Sequence, residues 1–373
     1  MKQLNRRQWL HRAGLAGAAT LTGSWAALAE APPPLPMAGA GMRTGPIRLN
    51  ANENPYGPSP KVRAAMMQAF DAACRYPFAW QQELAGKLAE KEGVTPGHIV
   101  VTAGSVEGLR ISGLAYSWQG GEVVAADPTF QALLTYAEQF GAYVHRVPLD
   151  DLVHDLDAME RRITSNTRLV FICNPNNPTG TLLPADRLRD FCASVSRRTV
   201  VFADEAYYDY IQEPGYPSMV ELVKKDLNVI VSRTFSKVYG LAGLRIGYLI
   251  ARPDIARRLQ DARAAFNNVI GLQAAMAALG DEDFYRESLE RNAESQRMIY
   301  QALDQLNLQY IKSHGNFVFF QAQRDIRGLI EEMKKENVLI GRPFPPLTDW
   351  CRLSTGTAED TRLACQALAR VLG

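Results

Sequence analysis

The chain has 373 residues, of which 47% are hydrophobic, 9% aromatic and 21% charged. These proportions exclude a disordered polymer, a collagen-like repeat and a miniature disulfide scaffold, and the length allows two or three globular units. With 41 basic and 39 acidic residues the formal charge is +2, so electrostatics give no reason to expect nucleic acid as a partner.

That charge is unevenly placed. Lys2, Arg6, Arg7 and Arg12 are the only charged residues before Glu30, so loss of residues 1–29 would turn +2 into −2. Asn5-Arg6-Arg7-Gln8-Trp9-Leu10 sets an arginine pair before bulky apolar residues. A weakly apolar stretch follows over 13–28, ending in the small-x-small pattern Ala27-Leu28-Ala29. Residues 1–29 therefore resemble a bacterial twin-arginine signal peptide, which exports folded proteins and implies a periplasmic location; without such a signal the location would be cytoplasmic. The 13–28 stretch is short and rich in Gly, Ala and Thr, so no stable membrane span is expected. Segment 30–48, with its prolines and glycines, reads as a linker or N-terminal arm.

Beyond the arm, residues 62–73 and 81–92 have the spacing of amphipathic helices, 98–102 of a strand and 106–116 of a helix. Short apolar runs follow at 122–126, 143–147, 169–173, 200–203, 229–232 and 244–250. Helical segments such as 129–140 and 184–196 separate most of them. Buried strands alternating with helices predict an α/β fold, a large domain whose mostly parallel sheet is covered by helices on both faces. From about residue 253 the pattern changes: a long helix over 283–306, a strand at 317–321, a helix at 326–336, a strand at 351–354 and a closing helix at 359–371. This predicts a smaller α+β C-terminal domain.

Five cysteines (Cys74, Cys173, Cys192, Cys351 and Cys365) make no Cys-x-x-Cys pair, and five scattered histidines give no metal-binding spacing. No metal is expected. In an oxidising compartment one disulfide is possible, but the sequence does not assign it. Cys173 and Cys351 lie in apolar strand-like runs and read as buried small hydrophobes.

The chemistry concentrates at predicted strand ends. Ser232-Arg233-Thr234-Phe235-Ser236-Lys237 closes one strand, with Arg245 eight residues beyond the lysine. An amine beside two hydroxyls and a guanidinium suits a nucleophile next to an anion cup, able to form a Schiff base with an aldehyde whose phosphate the cup holds. Asp204-Glu205-Ala206-Tyr207 follows another strand. A carboxylate at Asp204 suits a protonated pyridine nitrogen, and Tyr207 a phenolic oxygen. Asn174-Pro175-Asn176-Asn177-Pro178-Thr179-Gly180 builds a tight turn that presents Asn177 toward the same oxygen. Ala103-Gly104-Ser105 opens a helix whose N–H groups suit a phosphate. Taken singly, each segment reads equally well as a helix cap, a plain turn or ordinary surface.

Together these segments resemble the fold-type I pyridoxal-phosphate-dependent aminotransferases, class I/II, and most closely their histidinol-phosphate aminotransferase branch. The resemblance spans roughly residue 49 to the C-terminus, from Leu49-Asn50-Ala51-Asn52-Glu53-Asn54-Pro55-Tyr56 to Arg352-Leu353-Ser354-Thr355-Gly356-Thr357. It implies a large cofactor-binding domain over 49–265, a small domain over 266–373 joined by the N-terminal segment, and pyridoxal 5'-phosphate as cofactor. It also implies transfer of an amino group from an amino acid or related amine to a 2-oxo acid. Lys237 would carry the Schiff base and move the proton. Asp204, Tyr207 and Asn177 would hold the ring, and Phe130 would stack on it. Gly104, Ser105, Val106, Thr234, Ser236 and Arg245 would surround the phosphate. Tyr76 would reach the neighbouring subunit's cofactor, which implies a homodimer. Arg352 would grip the substrate carboxylate, with Tyr56, Arg342 and Asn177 also facing substrate.

Three departures bear on the substrate. Val106 stands where the branch usually has an acidic residue, Phe78-Ala79-Trp80 follows Arg75-Tyr76-Pro77 where a carboxylate is common, and Ala358 replaces a frequent arginine after Gly356-Thr357. An exported enzyme would also be misplaced for histidine biosynthesis, so histidinol phosphate is not the expected donor. Decarboxylation, β-elimination and racemisation remain open on the same cofactor, as does a non-catalytic binding protein.

Overall fold

The structure is a computed structural model that describes residues 45–373. The expected signal peptide (1–29) and the arm up to residue 44 lie outside the described residues. The first strand, β1 (Ile47–Arg48), is followed by helices α1 (Pro60–Ala69) and α2 (Phe78–Glu92). Strands and helices then alternate: β2 (Ile99–Thr102), α3 (Ser105–Ser117), β3 (Glu122–Asp127), α4 (Ala132–Gln139), β4 (Tyr143–Pro148) and α5 (Leu156–Arg161). The alternation continues through β5 (Thr167–Cys173), α6 (Ala185–Val195), β6 (Val200–Asp204), α7 (Val220–Val223), β7 (Val229–Thr234) and β8 (Gly247–Ala251).

These strands form a seven-stranded sheet in the order β2-β8-β7-β6-β5-β3-β4. Only β8 runs antiparallel to its neighbours, β2 and β7; the remaining pairs are parallel. Both faces are buried because alternate residues serve opposite layers. Val201, Ala203, Val229 and Val231 join one hydrophobic cluster, and Phe202 and Ile230 join the other. The apolar run expected from residue 244 becomes a strand only at Gly247, because residues 242–244 form a 3₁₀ turn and Arg245 sits at φ 57°.

The chain continues through α8 (Pro253–Asp261), α9 (Val269–Leu279), α10 (Glu282–Gln305), β9 (Tyr310–Ile311) and β10 (Phe317–Gln321). It ends with α11 (Ile326–Lys335), β11 (Val338–Leu339), β12 (Trp350–Ser354) and α12 (Ala358–Leu372). A three-stranded antiparallel sheet, β12-β10-β9, and helices α10, α11 and α12 surround a separate core. Ile47 and Leu49 belong to that core, and β1 pairs with β11. The first described strand is thus stitched to the last third of the chain. Helix α9 follows residue 265, yet its Leu272, Ala274, Ala275 and Ala278 are buried in a cluster of the large sheet. Among the described residues no helix is long and apolar enough to cross a membrane.

Candidate active site

Parallel strands bring their carboxyl ends to one edge, where an open α/β sheet accepts ligands. Asp204 ends β6, Thr234 ends β7, Asn177 lies in the turn after β5, and Ser105 opens α3 just after β2. One cavity of about 340 Å³ is lined by Ser105, Val106, Phe130, Asn177, Asp204, Tyr207, Ser236, Lys237, Arg245, Arg342 and Arg352. Residues spread over 248 sequence positions therefore share one space, and the backbone of the large sheet is what assembles most of them.

At its centre Lys237 donates from Nζ to the carbonyl of Asn52 at 2.9 Å. Burial, and then the Arg352 guanidinium, push its amine down to about 8, against the opposing pull of Glu53 and Asp204. Asp204 is 2% exposed. Burial raises its carboxyl to about 7 despite a hydrogen bond from the Ala206 backbone. Its Oδ1 has no hydrogen-bond partner. A buried carboxylate oxygen without a donor is costly, and the N–H of a protonated pyridine is the kind of donor that would satisfy it.

The Tyr207 hydroxyl accepts from Asn52 Nδ2 at 2.9 Å and from Asn177 Nδ2 at 3.5 Å. Both contacts fill acceptor positions, so the hydroxyl proton stays free to be donated. Burial pushes the phenol up to about 12, which keeps it protonated.

The anion cup forms where α3 begins. Gly104 has φ 79°, and a Cβ there would come within 2.2 Å of Arg245 Nη2. Glycine at this position lets the guanidinium approach the helix amino end. A Cβ on Gly247 would likewise meet the Ser105 amide nitrogen at 2.8 Å. Arg245 donates to Ala242 O at 2.6 Å and only loosely, at 3.4 Å, to Ser236 Oγ and Ala103 O. The Ser236 amide is held by Thr234 Oγ1 at 3.1 Å. A guanidinium, hydroxyls and a helix N-terminus converge here, the donor set that suits a phosphate. The orphaned Asp204 oxygen, this cup and the Lys237 amine together fit a phosphorylated pyridine aldehyde.

Arg352 is 8% exposed and is held by Asn177 Oδ1 at 2.7 Å and Asn50 O at 2.9 Å. Its Nε has no partner. A buried guanidinium with an unfilled N–H beside the cavity is suited to a carboxylate. Arg342 lines the same cavity and lies 4.5 Å over the Phe344 ring.

Tyr56 and Tyr76 lie outside this cavity. The Tyr56 hydroxyl accepts from the Ala358 backbone at 3.0 Å, its ring lies 4.2 Å beneath Arg291, and it lines a different, small cavity. Tyr76 is 76% exposed and sits against Phe78 and Phe266 at the surface.

Two residues without an assigned role in the sequence motifs join the site. Asn52 contacts both Lys237 and Tyr207, and Ser354 Oγ donates to Asn52 Oδ1 at 2.7 Å. Asn52 lies inside the opening motif, and Ser354 inside the closing one, so the signal was their membership alone. Directly after Asp204, Glu205 forms a buried pair with Arg233 at 2.7 Å. All five cysteines are free, with Cys173 and Cys351 buried. Among the described residues no cluster of His, Cys, Asp and Glu could hold a metal.

Comparison with known proteins agrees with this geometry. The model of the family "Aminotransferase class I and II" matches residues 44–368. The histidinol-phosphate aminotransferase of Halalkalibacterium halodurans is 38% identical over 87% of this chain and 89% of its own. That of Moorella thermoacetica is 39% identical over 87% and 85%. A crystal structure of histidinol-phosphate aminotransferase from Sinorhizobium meliloti in complex with pyridoxal-5'-phosphate superposes with a TM-score of 0.83 at 29% identity, covering 94% of this chain and 99% of that one. The chain belongs to the class I and II aminotransferase family.

Proposed function

We propose, with that membership as the premise, that the chain takes its amino group from a donor bearing an α-carboxylate and works as a homodimer outside the cytoplasm. The reaction is that of a pyridoxal-phosphate-dependent aminotransferase, in which an amino group moves from an amino acid to a 2-oxo acid. When bound, the cofactor supplies an electron-withdrawing ring that spreads the charge developing at the substrate α-carbon.

The chain's residues supply the rest. Asp204 holds a proton on the ring nitrogen by presenting its unpartnered buried oxygen to it. Tyr207, oriented by the two asparagine amides, donates its free proton toward the phenolic oxygen. Gly104, Ser105, Thr234, Ser236 and Arg245 bind the phosphate, and Phe130 and Val106 close the walls. Lys237, with its amine near 8, keeps a useful unprotonated fraction around neutral pH. With the cofactor in place, its amine would move the proton at the substrate α-carbon, a general acid–base role. Arg352 orients the substrate by its carboxylate, and keeping that carboxylate in place favours transamination over its loss.

The observation that carries the donor class is the buried Arg352 side chain, whose Nε is unpartnered beside the cavity. Single-turnover spectroscopy against an amino-acid panel tests it, with histidinol phosphate, the compound in the relatives' names, as a separate arm. Carboxylate-bearing donors are expected to bleach the visible band of the holoenzyme with saturation. Bleaching by histidinol phosphate alone would overturn the reading. Release of carbon dioxide or ammonia with the band restored would mean a different bond is broken.

The dimer is supported by Tyr76, Phe78 and Phe266, which are 76%, 53% and 55% exposed and in mutual ring contact. Clustered exposed aromatics favour a partner surface over solvent. Light scattering of the purified protein checks it, and a monomer with full activity would refute it. The export reading rests on the arginine pair Arg6-Arg7, the apolar stretch and Ala27-Leu28-Ala29. Fractionation of cells expressing the full chain and an R6K/R7K variant tests it, and identical cytoplasmic retention of both would refute it.

A further inference from the structure

Asn52 is 1% exposed and engages three functional side chains at once. Its carbonyl accepts from Lys237 Nζ at 2.9 Å, and its Nδ2 donates to Tyr207 Oη at 2.9 Å. Its amide nitrogen donates to Ser354 Oγ at 2.8 Å, and its Oδ1 accepts from the same hydroxyl at 2.7 Å. The backbone here is left-handed, with φ 53°, a conformation that asparagine tolerates better than most residues. It lets one residue turn its carbonyl toward Lys237 while its side chain meets Tyr207 and Ser354.

We propose that Asn52 is a positioning residue for the transamination step. Its carbonyl holds the Lys237 amine and its amide fixes which way the Tyr207 hydroxyl points, while Ser354 ties both functions to the strand that carries Arg352. The proposal rests on the aminotransferase reading and extends it to a residue of the cavity wall that no motif had given a role.

Three features support it. First, the Asn52 contact to Tyr207 is a normal hydrogen bond at 2.9 Å, whereas that from Asn177 is stretched to 3.5 Å. Asn52 is therefore the amide that sets the orientation, and an occupied lone pair leaves the hydroxyl proton to face the cavity. Second, Arg352, Glu53, Asp204 and Arg245 are the charged groups acting on Lys237, and the Asn52 carbonyl gives the amine a neutral acceptor among them. The amine is anchored without being locked into an ion pair. Third, Ser354 and Arg352 are two residues apart on β12 and so share a face. Arg352 Nη2 donates to Asn50 O, and the Ser354 amide donates to Leu49 O at 2.9 Å. Residues 49–52 thus lie along β12, so a shift of that strand when Arg352 takes a carboxylate reaches the Lys237 acceptor directly.

The test uses three variants of the holoenzyme. Asn52→Gly keeps the carbonyl and accepts the left-handed backbone but removes the amide. Asn52→Asp replaces the donor toward Tyr207 by an acceptor that competes for its proton. Ser354→Ala releases the clasp and leaves the Tyr207 contact in place. For Asn52→Gly the single-turnover rate is expected to fall about tenfold, less than the roughly 100-fold or more that loss of a proton-handling group itself costs because Lys237 and Tyr207 remain, with the donor KM within about twofold of wild type. The pH midpoint of the visible spectrum should rise, because a hydroxyl no longer aimed into the cavity stops favouring the unprotonated nitrogen of Lys237. Asn52→Asp should lose more rate than Asn52→Gly. Ser354→Ala should act mainly on KM, through Asn50 and Arg352.

Asn52→Gly with a wild-type rate and a wild-type spectral midpoint overturns the proposal. So does a variant that loses only thermal stability or cofactor content, with rate per bound cofactor and midpoint unchanged. Should the wild-type protein transaminate no donor, the functional reading fails on its own. The spectral midpoints would still decide whether Asn52 positions these groups.

Discussion

Arg352 and Asn177 join the two cores of the molecule across the cavity: the guanidinium on β12 donates to Asn177 Oδ1 in the turn after β5 at 2.7 Å. The same Asn177 amide group reaches Tyr207 from its nitrogen. One side chain thus couples the Arg352 guanidinium to the Tyr207 hydroxyl, and its O/N orientation follows from having a donor on one side and an acceptor on the other.

Arg352→Lys is expected to raise the donor KM and lower kcat/KM roughly 100-fold, or about 2–3 kcal/mol, because an ammonium cannot reproduce a planar fork. Asn177 and Asn50 O would also lose their planar partner. Steady-state kinetics with a carboxylate donor checks this, and a change confined to kcat would contradict the assigned role.

Asp204→Asn separates catalysis from stability. In the cofactor-free protein Asp204 titrates near 7 instead of its ordinary 3.8. Between those values the folded chain keeps a proton that the unfolded chain has released, so this group makes stability fall as pH rises through that window. Removing the charge should stabilise the cofactor-free protein above pH 7 by up to a few kcal/mol, at about 1.4 kcal/mol per pH unit, and have little effect near pH 4. In the holoenzyme the same change should lower kcat by roughly 100-fold or more, since a neutral amide cannot pair with a cationic ring nitrogen. Denaturant unfolding at both pH values and kinetics of the loaded variant test the two halves.

Gly104→Ala places a Cβ at φ 79° and against the Arg245 guanidinium. The strain of a side chain in this positive-φ, extended-ψ region alone costs roughly 1–3 kcal/mol, and the displaced arginine loosens the anion cup. Cofactor should therefore leave the variant faster on dialysis against phosphate, with little change in the rate per bound cofactor.

Arg233→Met strands Glu205, which is 4% exposed and accepts hydrogen bonds from Ser218 and the Met219 amide besides the arginine. Breaking one side of a buried pair costs about 3–5 kcal/mol. Urea unfolding should show that loss, and the double change with Glu205→Leu should recover part of it. A neutral single variant would mean that the pair is solvated.

The fold class was legible because its signals are local. Apolar runs such as 200–203 and 229–232 followed by polar residues mark strand ends in a parallel sheet, and Asp204 and Lys237 stand where such ends place them. Helix α9 shows the limit. Its alanine-rich sequence has a weak periodic pattern, and only the surface it meets decides that it packs with the large sheet despite following residue 265. Tyr56 shows a second limit: no local spacing indicates that its hydroxyl accepts from the Ala358 amide, 302 positions away.

Neighbours along the chain encode the alternating α/β pattern, the cofactor-type residues at strand ends and the family resemblance, which is why these could be read before folding was considered. Tertiary structure alone decided how they meet. The Asn52–Ser354 clasp joins residues 302 positions apart. The partnerless oxygen of Asp204 and the lowered amine of Lys237 exist only once folding removes water around them. Desolvation and hydrogen bonding between distant segments depend on distances in space, and no local spacing encodes those.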